Sequence, residues 1–136
     1  MIVVDASVLT KYVLREENWI EVRKRLEEEA VSVDHVVKEV ANAIWKKAVV
    51  MKLEPLEIAL RRYQVLRMLV AEGIVRIESG LQYLDEAFRI ALENNVTVYD
   101  ALYIAQAMRL RATLVTSDLK QSRVVEKLGI KVCYIP

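Results

Sequence analysis

Met1-Ile2-Val3-Val4-Asp5-Ala6-Ser7-Val8 decides how this chain reads, because a β-branched run leads straight into a carboxylate. The run predicts a buried β-strand, and open parallel sheets place their ligands just beyond the carboxyl ends of such strands. Asp5 is therefore a candidate functional residue. It also stands where it can cap a helix beginning near Ser7, and this stretch alone leaves both roles open.

Similar runs recur outward from it, at Val31–Val33, Ile74–Ile77, Thr113–Val115 and Lys131–Ile135, each separated by segments long enough for helices. That alternation predicts parallel βα units, with helices over Val8–Leu14, Trp19–Glu29, Val36–Met51, Pro55–Glu72, Leu81–Glu93, Val98–Leu110 and Leu119–Leu128. The punctuation agrees. Pro55 stands at a helix start, Gly73 and Gly129 follow helix ends, and Asp34 can cap the helix after the second strand. Leu56, Ala59, Leu60, Tyr63, Leu66 and Val70 recur at helical spacing, which predicts a core-facing stripe whose exposed remainder is available for a subunit contact.

The chain has 136 residues, 54% of them hydrophobic, enough to build one domain over residues 1–136 around a sizeable core. Its 20 Lys+Arg against 19 Asp+Glu leave a net charge of +1, so no global field steers it toward nucleic acid or an anionic membrane. A polyanionic partner would have to be held locally, by a patch or by metal ions. The single cysteine, Cys133, excludes an intrachain disulfide and reads as a small buried thiol. With no basic leader and no apolar run near the ~18 residues that span a bilayer, a soluble cytoplasmic protein without a membrane partner is expected. Neither G-x-G-x-x-G nor G-x-x-x-x-G-K-S/T occurs, which argues against a dinucleotide fold or a P-loop ATPase.

Two further acids stand out. Asp100 opens the segment Thr97-Val98-Tyr99-Asp100-Ala101-Leu102-Tyr103-Ile104-Ala105-Gln106-Ala107-Met108, apolar all round and so expected to be buried. A carboxylate there is costly unless a cation or donors satisfy it, although Thr97-x-x-Asp100 also resembles a capping box. Asp118 follows the strand-like Thr113-Leu114-Val115-Thr116 within three residues, with capping by Ser117 or Asp118 as the plain alternative. Parallel strands align their carboxyl ends, so Asp5 and Asp118 are expected at one sheet edge, with Asp100 able to face it. Three converging carboxylates repel one another unless a hard cation neutralises them. Oxygen-only ligation suits Mg²⁺ or Mn²⁺, while one His and one Cys without ligand spacing argue against zinc. Helical spacing alone leaves Glu39 a solvated flank residue on a helix whose apolar face is Val36, Val37, Val40, Ala41, Ile44, Ala48 and Met51. His35 reads as a surface or packing residue at a helix start.

Four blocks together give the chain a family likeness: Val3-Val4-Asp5-Ala6-Ser7, Lys38-Glu39-Val40-Ala41-Asn42-Ala43, Tyr99-Asp100-Ala101-Leu102-Tyr103-Ile104-Ala105 and Thr116-Ser117-Asp118. In order and separation they resemble the PIN-domain family, and within it the VapC-like toxins of VapBC toxin–antitoxin pairs. The resemblance implies a three-layer α/β/α fold around a parallel sheet of about five strands and a Mg²⁺- or Mn²⁺-dependent endoribonuclease leaving 5′-phosphate and 3′-hydroxyl ends. It implies that Asp5, Glu39, Asp100 and Asp118 hold the metal and carry catalysis, and that Ser7, Asn42 and Thr116 support them. A homodimer and a small antitoxin whose tail enters the acidic pocket are implied as well. One departure is Asp34-His35-Val36-Val37, where a proline often precedes the corresponding helix. A non-catalytic PIN-fold module binding RNA or protein is the main rival, and loss of a matched acid would have been its sign. An aspartyl phosphatase would need a second Asp where Ser7 stands, and a receiver would need paired acids that are not apparent.

Overall fold

The computed structural model describes residues Met1–Pro136. Its β1 (Ile2–Val4) is the middle strand of a five-stranded sheet ordered β3-β2-β1-β4-β5, with β2 at Ala30–Val33, β3 at Val75–Glu78, β4 at Thr113–Thr116 and β5 at Val132–Tyr134. Every neighbouring pair is parallel, with Ile2 opposite both Ala30 and Thr113, and Val4 opposite Val115. Ile2, Val3 and Val4 are completely buried, as expected of a strand covered on both faces. Burial of each such side chain is worth about 1.5–3 kcal/mol, and that fixes the strand from which Asp5 emerges.

Seven α-helices cover the sheet: α1 (Ala6–Val13), α2 (Trp19–Arg25), α3 (His35–Trp45), α4 (Leu56–Ala71), α5 (Leu84–Asn94), α6 (Val98–Leu110) and α7 (Leu119–Lys127). The chain moves outward from β1 to β3, then returns to β4 and β5 on the other side of β1. Right-handed crossovers therefore put α1–α4 on one face and α5–α7 on the other, the three-layer α/β/α architecture that the four blocks implied. α6 packs across β1, β2 and β4, and its residues Ala101 to Ala107 are all buried. Gly73 and Gly129 end α4 and α7 at φ +71° and +75°, left-handed positions that glycine occupies without a Cβ clash.

Several local expectations are corrected. α2 ends at Arg25 rather than Glu29, since three successive glutamates from Glu27 would crowd the negative end of the helix dipole. The helix from His35 widens into a π-turn over Lys46–Val50, and Met51 beyond it is 53% exposed. Gly80–Tyr83 forms a 3₁₀ turn before α5. Asp34 caps nothing: its own backbone is already helical, and its carboxylate accepts the Gly80 N–H instead. On α4 the core side is Leu66 and Leu69, while Leu56, Leu60 and Tyr63 face outward, because burial comes where its second half meets β3. Cys133 is half-buried rather than enclosed.

Candidate active site

The sheet order reverses between β1 and β4, which makes the crevice beyond their carboxyl ends a topological switch point where ligands bind in open α/β sheets. A cavity of about 480 Å³ opens there. Asp5 from the β1–α1 junction, Ser7 from the first turn of α1, Glu39 from α3, Asp100 and Tyr103 from α6, and Ser117 and Asp118 from the β4–α7 turn line it, together with Lys11. Thus the acids from all four blocks, distant in sequence, share one wall of space.

Asp5 is both the cap and the floor of the cavity. Its Oδ1 accepts the Val8 N–H at 3.1 Å, closing the first turn of α1, and the Ser7 hydroxyl at 2.6 Å, while its Oδ2 accepts the Thr116 hydroxyl at 2.5 Å. Those hydroxyls are themselves held, Ser7 Oγ by the Ser117 N–H and Thr116 Oγ1 by the Asp118 N–H. The β1 and β4 exits are therefore latched through one carboxylate. Burial pushes the Asp5 carboxyl up to about 6 against the pull of these donors, with the Asp100 charge adding to the rise.

Asp100 and Asp118 stand at adjoining helix starts. Thr97, not Asp100, caps α6 by accepting the Asp100 N–H at 3.1 Å, and Asp118 caps α7 by accepting the Gln121 N–H at 2.9 Å. Gln121 Nε2 donates to the Asp100 carbonyl at 3.0 Å and keeps the two starts together. Burial, then the Glu39 and Asp118 charges, hold the Asp100 carboxyl above its usual range. A cap role exists for two of the acids, yet it leaves their charges uncompensated.

Glu39 is steadied differently. Its Oε1 accepts the Tyr103 hydroxyl at 2.8 Å, and His35 Nε2 lies 2.8 Å away, off the axis of a good hydrogen bond. Burial would raise the Glu39 carboxyl, but His35 and Tyr103 outweigh it and hold it below its usual value. The same carboxylate, with burial, pushes the Tyr103 hydroxyl far up. His35 packs its ring against Tyr103 at 4.8 Å and Tyr99 at 5.5 Å, a packing residue that also orients Glu39.

Of the supporting positions, Ser7 lines the cavity, Thr116 lies fully buried behind Asp5, and Asn42 does not reach the site. Asn42 is exposed, and Ala43 is the α3 residue on the cavity side; four residues turn a helix by 40° past a full turn, three fall 60° short. Tyr103 escaped the reading of the sequence as a site residue, though its spacing of one turn from Asp100 places it on the same helix face.

No three His, Cys, Asp or Glu side chains gather tightly enough to ring an ion by themselves. None of the four acids is paired with a lysine or arginine either. An all-carboxylate donor set that repels itself around an open cavity fits a hydrated hard cation, which keeps several waters and needs only one or two direct carboxylates.

The family model of the PIN domain matches residues 2–127. A curated relative from Pyrobaculum aerophilum named Ribonuclease VapC3 is 31% identical over 119 residues, which cover 86% of this chain and 88% of that one. Another from the same organism, named Exonuclease VapC9, is 30% identical over 116 residues, covering 85% of this chain and 78% of its own. Among solved structures, a toxin–antitoxin complex from Klebsiella pneumoniae shares the fold with a TM-score of 0.63 at 19% identity, covering 89% of each chain. A match running from the first strand to the last helix, over an acid-lined cavity at the switch point, leaves one conclusion: this chain belongs to the PIN-domain family.

Proposed function

We propose that this chain is a divalent-metal-dependent endoribonuclease, the toxin of a toxin–antitoxin pair, working in the cytoplasm as a homodimer and silenced by a small antitoxin. One observation carries the reading: Asp5, Glu39, Asp100 and Asp118, from four separate elements, line one cavity at the switch point with no lysine or arginine paired to any of them, His35 alone flanking Glu39. The VapC names of the two relatives support ribonuclease chemistry and the toxin role.

The four acids would hold the ion, Mg²⁺ or Mn²⁺. When bound, such an ion activates water and neutralises charge in an in-line phosphoryl displacement. The chain supplies orientation. Ser7 and Thr116 fix both oxygens of Asp5, Tyr103 fixes Glu39, and the α6 and α7 starts carry Asp100 and Asp118. No side chain serves as a covalent nucleophile in this scheme. One relative is named an exonuclease, but here the cavity shares walls with a neighbouring cavity on either side, and an open-ended site admits an internal bond. For self-association and antitoxin docking the chain offers two exposed apolar stripes, Leu56, Leu60 and Tyr63 on α4 and Leu81, Phe88 and Leu92 around α5.

The test is incubation of the purified protein with linear and circular labelled RNAs in Mn²⁺ or Mg²⁺, beside EDTA and Asp100→Asn controls. Cutting of the circle, abolished by both controls, is the expected outcome. Should the wild type cut no RNA, or Asp100→Asn cut equally well, the catalytic assignment is wrong; cutting of linear RNA alone would replace endonuclease by exonuclease.

A further inference from the structure

The placement of Asp118 relative to Asp5 comes with the sheet, through the latch between the β1 and β4 exits. Asp100 rides on a helix that has to be aligned with α7 separately. Helix packing does not do it. α6 lies across β1, β2 and β4, and α7 against β4 and β5. A cleft of about 370 Å³ opens between their far ends, with Ala107 and Met108 on one side and Leu128 and Gly129 on the other. At the near ends a single hydrogen bond joins the two helices, from Gln121 Nε2 to the Asp100 carbonyl at 3.0 Å. The bond from Lys120 to the Asn95 carbonyl at 2.9 Å is exposed and ties α7 only to the loop before α6.

Gln121 also donates its backbone N–H to Asp118 Oδ1 at 2.9 Å. One residue therefore addresses both acids, Asp100 through its side chain and Asp118 through its backbone. It is only 3% exposed, and its Oε1 is shut off from solvent with no donor. A buried acceptor left unmade lowers stability, and a methionine would fill the same length of space, at similar helix propensity, without a polar atom. The unmade bond does not by itself single Gln121 out. Gln106 is fully buried, donates through Nε2 to Glu78 at 2.9 Å and has an equally unpartnered Oε1, but it does not line the acid cavity. What distinguishes Gln121 is its pair of partners. The Asp118 charge bears on Asp100, and their repulsion works to open the gap between the helix starts that this one amide spans.

We propose that Gln121 is a positioning residue: it holds Asp100 and Asp118 at the spacing at which they share a divalent cation, while making the fold less stable than an apolar residue there would. This rests on the metal-dependent nuclease reading and adds to it a residue that touches neither cation nor RNA. Partners behind a metal's ligands orient those ligands, and their loss weakens the metal without removing a ligand.

The experiment reads cation affinity and stability apart from cleavage. Mn²⁺ is titrated calorimetrically into wild type, Gln121→Met, Gln121→Leu, Gln106→Met and Asp100→Asn, and urea midpoints are measured for each in EDTA. Both Gln121 variants should bind Mn²⁺ about tenfold more weakly than wild type, with urea midpoints at or above the wild-type value. Gln106→Met, which removes the same group elsewhere on α6, should keep wild-type affinity. Asp100→Asn should lose the binding heat, which marks that heat as the acid cavity's. If the Gln121 variants bind Mn²⁺ like wild type while Asp100→Asn does not, the positioning role is overturned and the nuclease stands. Midpoints clearly below wild type, or no urea transition at all, would make Gln121 an ordinary structural fastener and overturn the role as well. Equal weakening by Gln106→Met would trace the effect to general loosening and likewise overturn it. If wild type binds no Mn²⁺ and cuts no RNA, both readings fall.

Discussion

Two carboxylates at strand ends of the same sheet live in opposite circumstances. Glu78 closes β3, as Asp5 follows β1. The Glu78 Oε1 accepts the Tyr83 hydroxyl at 2.6 Å and the Gln106 amide at 2.9 Å, and Arg76 lies 3.5 Å from its Oε2. Burial would raise Glu78, but these donors and the arginine hold it below its usual range, and Tyr83 is pushed up to about 12 by burial and by Glu78. Asp5 is pushed up to about 6 and faces Asp100 instead of a cation. Position at a strand end therefore does not mark a functional acid. An acid that fastens β3 to α6 is saturated with partners; an acid kept for a ligand is oriented by donors yet left with charge to spare.

The sharpest way to break this contrast is to remove charge from the crowded side. Asp100→Asn is expected to lower RNA cleavage at least hundredfold, about 3 kcal/mol of lost transition-state stabilisation. Urea denaturation in EDTA should show its stability unchanged or slightly raised, since the substitution relieves repulsion from Glu39 and Asp118. A clear loss of stability would mean that Asp100 is structural after all.

Next in size is the pH response of the metal-free protein. Asp5 binds its proton more tightly folded than unfolded, so the native state takes up the extra proton between about pH 4 and pH 6. Stability from this group is full below that window and is lost as pH rises through it, by at most about 3 kcal/mol for a shift of about two units. Glu78 and Glu39, held low, act with the opposite sign and withdraw stability as pH falls through their folded values. Metal-free wild type should therefore be most stable in mildly acid solution, and Asp5→Asn should flatten the decline toward neutrality. Urea midpoints measured across pH in EDTA decide it; no decline in the wild type would show that Asp5 is not strained by burial.

On the saturated side, Glu78→Ala leaves Tyr83 Oη and the fully buried Gln106 amide without their acceptor. The expected cost is about 2 kcal/mol, read from urea denaturation. Cleavage per folded molecule should hold, since Glu78 does not line the acid cavity. Lost cleavage with intact stability would erase the distinction between the two regions.

The sequence was most legible where chemistry and topology coincide. Asp5 and Asp118 could be placed because a strand end has one direction, and parallel strands share it. α6 was legible because seven successive buried residues leave no polar face. Glu39 was illegible to periodicity, since a helix flank looks the same whether it borders solvent or a cavity, and only the family blocks brought it forward. The α4 stripe misled because helical spacing gives direction but not reach: its first half extends beyond the sheet, leaving Leu56 67% exposed. Asp34 misled because a capping side chain needs an extended backbone at its own residue, and the Asp34 backbone, just before α3, is already turned to helical angles. Glu78 and its partners were not foreseen, because Tyr83 and Gln106 come to it from the 3₁₀ turn and α6 only when the sheet and helix layers are stacked.

The smallest expected effect tests the two sides at the residue that mixes them. Glu39 is a cavity acid, yet like Glu78 it accepts a tyrosine hydroxyl, here from Tyr103 at 2.8 Å. Tyr103→Phe keeps the ring that packs on His35 and removes only the donor. If that hydroxyl serves to aim the carboxylate, Mn²⁺ affinity measured calorimetrically should fall about tenfold, the lower end of what loss of a partner behind a metal ligand costs, because His35 still flanks Glu39. If the hydroxyl instead saturates Glu39 as Tyr83 saturates Glu78, its removal frees an acceptor and Mn²⁺ affinity should hold or rise. The sign of that change assigns Glu39 to the ligand-ready acids or to the fastening ones.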